Sequence, residues 1–239
     1  MRLISFQSIG NELESKEIES WIRLIRVMTH EIMNSVAPIT SLSETMLSIL
    51  RSGSTESEGM RKTTVEAFET IHSTAKGLST FVESYRKFSA IPQPEIKPFP
   101  LNELVAQVVN LHAQSAADRN IRIQIVATDN LCLSADKNLI MQVLVNTLKN
   151  AIEAANEHGE IEIDFSQRQS GKIVISVANT GSPISKDIIP FIFTPFFTTK
   201  EGGTGIGLSV SRYIMRLHGG NLLHSVSPKG MTVFSLVFA

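Results

Sequence analysis

Cysteine is almost missing from this chain. Cys132 is its only one in 239 residues, so no intrachain disulfide can form and packing alone must hold the fold. It sits in the apolar run Leu131-Cys132-Leu133, which reads as a buried strand and fits a reducing compartment. No apolar run is long enough to cross a bilayer, and the N-terminus lacks a secretory pattern. An excess of one charge is also missing: 22 Lys and Arg against 23 Asp and Glu leave a net charge of −1. That balance excludes a general pull toward nucleic acid or anionic membranes. There is no G-x-x-x-x-G-K-[ST], hence no P-loop. With 42% hydrophobic and 19% charged residues, the composition predicts a globular cytoplasmic chain without direct membrane insertion.

What is present begins with a long helical repeat. From Ile18 through Trp21, Ile25, Met28, Ile32, Ser35, Ile39, Leu42 and Met46 to Ile49, the steps alternate three and four, the period of a helix packed on helices. Ile22, Val36 and Leu50 widen the stripe. With those residues at a and d, His30 falls at f, pointing into solvent. Glu31 follows it at once, and Asn34 lies a turn further on. An adjacent carboxylate can fix one imidazole tautomer and leave the other nitrogen as a nucleophile. This segment alone fits an ordinary surface histidine equally well. Pro38 removes a backbone donor and predicts a bend just after the site.

The polar stretch 51–59, with two glycines, predicts the end of the first helix. Phe68, Ile71, Ala75, Leu78, Val82 and Tyr85 then predict a second helix, and the pair an antiparallel hairpin. One hairpin has little to bury against, so two copies closing a four-helix bundle, a homodimer, are expected. Residues 91–100 hold four of the nine prolines and read as a stiff, extended linker. The expected division is therefore 1–90, linker 91–100, and a second domain 101–239.

Within that domain, helices are expected at 101–117, with Leu101, Leu104, Val105, Val108, Val109 and Leu111 on the apolar side, from an Asp136 N-cap through Ala155, and at 206–218. Strands are expected around 121–125, 131–133, 161–165, 173–177, 222–223 and 233–238. Helices segregated to one face of a mostly antiparallel sheet give an α+β chain ending in an α/β sandwich. Gly202-Gly203-Thr204-Gly205-Ile206-Gly207-Leu208 opens the last helix, where backbone amides and the helix dipole suit a phosphate. A flexible turn would read the same way. The preceding Phe197-Thr198-Thr199-Lys200-Glu201 is no buried parallel strand, which argues against a Rossmann fingerprint.

Separated segments, in order, resemble one family. His30-Glu31-x-x-Asn34 with Pro38 resembles the H-box of sensor histidine kinases. The run from Gln142 to Ala154, holding Asn146 and Asn150, is similar to their N-box. Asn179-Thr180-Gly181-Ser182-Pro183-Ile184 resembles the G1 box, Phe193-Thr194-Pro195-Phe196-Phe197-Thr198-Thr199-Lys200 the F-box, and Gly203-x-Gly205-x-Gly207-Leu208 the G2 box. The resemblance implies a dimerisation and phosphotransfer hairpin followed by a GHKL-type ATP-binding domain. His30 would accept the γ-phosphoryl group of ATP and pass it to an aspartate of a response regulator. Asn150 would ligate Mg²⁺, beside Asn146, with Asn179, Gly181, Lys200, Gly203, Thr204, Gly205, Gly207 and Leu208 completing the nucleotide site. Glu31 and Asn34 would further suit a phosphatase acting on the regulator.

Two departures stand out. The family's G1 box usually begins with aspartate; here Asn179 offers an uncharged acceptor, which implies weaker nucleotide binding. Pro183 replaces a usual glycine. These keep a weakly nucleotide-binding signalling scaffold open as an alternative. A hydrolytic ATPase clamp fits less well, since Asn146 has no general-base carboxylate. The upstream helix suggests the transmitter half of a longer sensor.

Overall fold

The computed structural model describes residues 29, 32–51, 58–89, 91–127, 130–200 and 203–238. The chain divides into two compact units, Met1–Arg86 and Lys87–Ala239.

In the first unit, helix α1 occupies 32–51 and continues through Pro38; α2 spans Glu58–Ser89. The a and d row of α1 follows the sequence pattern: Ile32, Ser35, Ile39, Leu42, Met46 and Ile49 are less exposed than most of their neighbours and Met46 is buried, whereas Val36 and Leu50, expected to widen the stripe, are exposed. On α2 the frame differs. The inward row is Met60, Thr64, Ala67, Ile71, Thr74 and Leu78, while Phe68, Ala75 and Val82 of the expected row are exposed. α2 carries two apolar stripes, and periodicity alone does not say which one a single chain covers. Met33, Val36, Leu47, Leu50, Val65, Phe68 and Val82 thus form large apolar surface left in solvent.

The second unit is a two-layer sandwich. Its strands are β1 (Lys97–Pro100), β2 (Arg122–Ile125), β3 (Cys132–Ala135), β4 (Glu160–Gln167), β5 (Ile173–Asn179), β6 (Asn221–Val226) and β7 (Thr232–Val237), and its helices α3 (Leu101–Ala117), α4 (Lys137–Ala154) and α5 (Gly207–Leu217). Five strands form one sheet in the order β2-β4-β5-β7-β6; β2 runs parallel to β4 and the other pairs are antiparallel. The register aligns Phe165, Ile175, Leu236 and Leu222 in one row and Ile163, Val177 and Phe234 in the next, all buried in the main core with residues of α3, α4 and α5. A third row sets Asn179 opposite Thr232, at the end of the sheet where the site lies.

Three readings need correction or refinement. Residues 97–100 are not only a linker: they pair antiparallel with β3, so the proline-rich stretch ends as an edge strand of the second unit, where missing N–H donors are tolerated. Cys132 is exposed, because period-2 alternation along β3 turns Leu133 and Ala135 inward instead. On α3, Leu111 is 66% exposed and His112 takes the inward position, its Nδ1 3.0 Å from Val108 O. The 3.6-residue period from Leu104 and Val108 lands on 112, not 111.

Asp136 caps α4 as expected, accepting from the backbone N–H groups of Asn138 and Leu139. Its other oxygen accepts from Glu95 N at 3.0 Å, and its own N–H donates to His218 Nε2 at 3.1 Å, while His218 Nδ1 lies 2.8 Å from Ile214 O. Partial burial alone would raise the Asp136 pKa, but the N–H donors of Glu95, Leu139 and Asn138 outweigh it and hold the carboxyl below its ordinary value.

Candidate functional site

A cleft of about 700 Å³ opens in the second unit beside α4, residues of the segments 182–200 and 203–205, and the start of α5. Asn146, Asn150 and Glu153 line it from α4; their spacing of four and three puts all on one helix face, opposite the buried Leu144, Leu148 and Ala151. Asn146 Nδ2 lies 3.4 Å from both Gly207 O and Ser211 Oγ, joining α4 to the first turn of α5. The buried end of the cleft is Asn179 and Thr232, only 2% and 4% exposed. Asn179 Nδ2 donates to Thr180 O at 2.8 Å, which leaves its side-chain oxygen as the acceptor for a ligand.

The glycine-rich turn is shaped by its neighbour. Gly205 has φ +66°, and a Cβ there would come within 2.4 Å of the Phe196 carbonyl carbon; Phe196 itself holds φ +66°. The two segments resembling the F-box and G2 box therefore lie back to back, and no side chain fits between them. In the segment of the described residues 182–200, 203 and 204 that edges the cleft, here called the lid, Phe193 meets Phe234 edge to face with centroids 6.4 Å apart, and the Arg212 guanidinium of α5 sits 4.6 Å over the Phe193 ring.

Lys200 is exposed, but its side chain turns across the cleft. Its Nζ donates to Asn150 Oδ1 at 3.3 Å and pairs with the Glu153 carboxylate. These two oxygens already hold an ammonium, so their chemistry suits a hard cation such as Mg²⁺.

Of the residues singled out in sequence, Asn146, Asn150, Asn179, Lys200, Gly203, Thr204, Gly205, Gly207 and Leu208 line this one cleft. Gly181 does not: it has φ +134°, and a Cβ would meet Ala154 O at 2.2 Å, so it serves the close approach of the β5 exit to the end of α4. His30 and Glu31 lie outside the described residues; Asn34 is on the exposed side of α1, in the other unit. Sequence reasoning passed over Glu153, Thr232, Phe234 and Arg212. Glu153 was detectable as the residue three beyond Asn150 on the same face, and Phe234 from strand alternation. Arg212 carried no local signal.

Residues 135–239 match the profile described as Histidine kinase-, DNA gyrase B-, and HSP90-like ATPase. The chain is 32% identical over 233 residues to the sensor histidine kinase ZraS of Escherichia coli K12, covering 96% of this chain and 48% of that protein. It is 36% identical over 138 residues to ZraS of Salmonella typhimurium, covering 57% of this chain and 30% of the relative. The chain thus spans less than half the length of these curated relatives. Among solved structures, the catalytic domain of histidine kinase ThkA in a nucleotide-free form is 38% identical with a TM-score of 0.56, covering 60% of this chain and 95% of that one. ThkA in complex with the response regulator protein TrrA aligns with a TM-score of 0.66 at 27% identity, covering 98% of this chain and 67% of that one. A helical hairpin followed by a cleft-bearing α/β sandwich, with the boxes in order and relatives along nearly the whole length, makes the chain a member of the sensor histidine kinase family.

Proposed function

We propose that this chain is the transmitter of an ATP-dependent protein-histidine kinase. The observation that carries the reading is the convergence of Asn146, Asn150, Asn179 and the 203–208 turn on one cleft. Asn179 Oδ1 accepts the adenine amino proton at the buried end. The amides of the glycine turn and the N-terminus of α5 face the phosphates. Asn150, with Glu153 beside it, would hold Mg²⁺, which would neutralise triphosphate charge. A nitrogen of His30 attacks the γ-phosphorus, the bond to the β–γ bridging oxygen breaks, and ADP leaves. The phosphoryl group then passes to an aspartate of a response regulator, a partner class supported by the ThkA–TrrA complex. Asn34, on the helix surface one turn past His30, suits a water-positioning role in dephosphorylating that regulator.

A homodimer is supported by the exposed apolar residues of α1 and α2, which a second hairpin would cover. Among the described residues no helix is long and apolar enough to cross a membrane, in keeping with a cytoplasmic transmitter.

Autophosphorylation with γ-labelled ATP and Mg²⁺ tests the reading. Acid-labile, alkali-stable label should appear on the chain and vanish in His30→Gln; label that survives the substitution removes His30 as acceptor. A weakly binding scaffold is the second reading, favoured by the uncharged Asn179. Asn179→Asp should tighten ATP binding about tenfold by making the hydrogen bond charge-assisted. Unchanged or weaker binding in a titration with ATP would remove that explanation of the G1 departure.

A further inference from the structure

Lys200 is presented by a turn built to hold it. Its N–H donates to Thr198 Oγ1 at 3.1 Å, and its carbonyl accepts from Gly203 N at 3.2 Å. From that turn the side chain reaches across the cleft to α4, where Nζ meets Asn150 Oδ1 and the Glu153 carboxylate. Glu153 also has Lys149 Nζ at 3.8 Å, one helical turn away. The Lys200 and Glu153 side chains are 43% and 38% exposed, so an incoming ion has access to them.

We propose that Lys200 is a tethered cation that holds the lid against α4 in the nucleotide-free domain, and that a divalent cation and Lys200 exclude each other at Asn150 and Glu153. This rests on the nucleotide-binding reading of the cleft. The logic is competition for lone pairs. An ammonium and a divalent ion both need the Asn150 oxygen and the Glu153 oxygen that faces the cleft, and with Lys149 already beside that carboxylate an entering divalent ion meets two ammonium charges there. Metal entry therefore releases Lys200, and a released ammonium on the lid is free to meet phosphate charge. Glu153 is on this account a positioning residue that keeps the lid shut before nucleotide arrives.

The test uses the full chain without nucleotide. Mn²⁺ alone is titrated and followed by electron paramagnetic resonance. Lys200→Met should bind Mn²⁺ about fivefold tighter than the unsubstituted chain, the coupling expected between mutually exclusive ligands. Adding Glu153→Gln to Lys200→Met should abolish the gain. Unchanged or weaker Mn²⁺ binding in Lys200→Met, or a gain that persists in the double variant, would overturn the proposal. Hydrogen exchange supplies an independent readout: the Phe197 and Gly203 amides, which donate within the lid to Thr194 O and Lys200 O, should exchange several-fold faster in Glu153→Gln. Equal exchange rates would also overturn it. ATP affinity, measured separately, distinguishes the two readings. A chain that passes both tests without binding ATP overturns the nucleotide reading alone, and one that binds ATP but fails them overturns the latch alone.

Discussion

The two units of this chain solve the burial problem differently. The sandwich closes over more than a single layer of fully buried side chains, among them Leu148, Ile161, Ile175, Ile214 and Leu236, contributed by helices and sheet together. In the helical unit, Met46 and Ala67 are the buried hydrophobics among the described residues, and seven large apolar side chains are exposed. A sheet covered by helices can complete a core within one chain, whereas a lone hairpin has only one seam to bury. The contrast is what supports the second copy proposed for the first unit.

The most damaging way to break the contrast is from the sandwich side. Leu148→Ala should cost about 2–5 kcal/mol by opening a cavity in a sealed core, seen as a lower denaturant midpoint that is independent of protein concentration. A midpoint that shifts with concentration would place the limiting core elsewhere. Phe68→Ser addresses the helical side: it should weaken self-association about tenfold in sedimentation, the size of effect expected for one apolar anchor, while leaving the sandwich transition in place. The smallest expected effect concerns the cap that ties α4 to the incoming strand. Asp136→Ala should cost about 1 kcal/mol, as N-cap losses do. Because hydrogen bonding holds the Asp136 pKa below its ordinary value, that contribution is fully present above the ordinary carboxylate range and fades as pH falls through the lowered value. Acid titration of the unsubstituted chain and Asp136→Ala should therefore converge at low pH.

The same contrast separates what was legible in sequence from what was not. Elements with a strong period were readable: the α1 stripe, the β4–β5 hairpin, the Asp136 cap and the residues of the cleft that fall in contiguous boxes. The α2 frame was not, because the chain holds two apolar stripes and only packing chooses between them. Leu111 and Cys132 were misplaced by one position each, for one residue of slip turns a strand side chain to the other face and a helix side chain by about 100°. The contacts that finish the site join residues far apart in sequence: Glu153 with Lys200, Phe193 with Arg212 and Phe234, Asp136 with Glu95 and His218. No local pattern encodes such pairs.

The row of the sheet that sets Asn179 opposite Thr232 gives the cleft two kinds of wall. One end is fixed by strand ladders before any ligand arrives; the other, at Thr198 to Lys200 with Gly203 and Thr204, is exposed and outside the strands and helices. A nucleoside meeting only the ladder end orders almost nothing, while each added phosphate must fix more of the exposed side chains at the other end. Along a series from adenosine to ATP, calorimetry should then record an increasingly unfavourable conformational entropy set against an increasingly favourable enthalpy. Recognition of the base is thereby assigned to a side chain fixed on a strand ladder, and sensitivity to the state of the phosphate chain to the exposed side of the cleft.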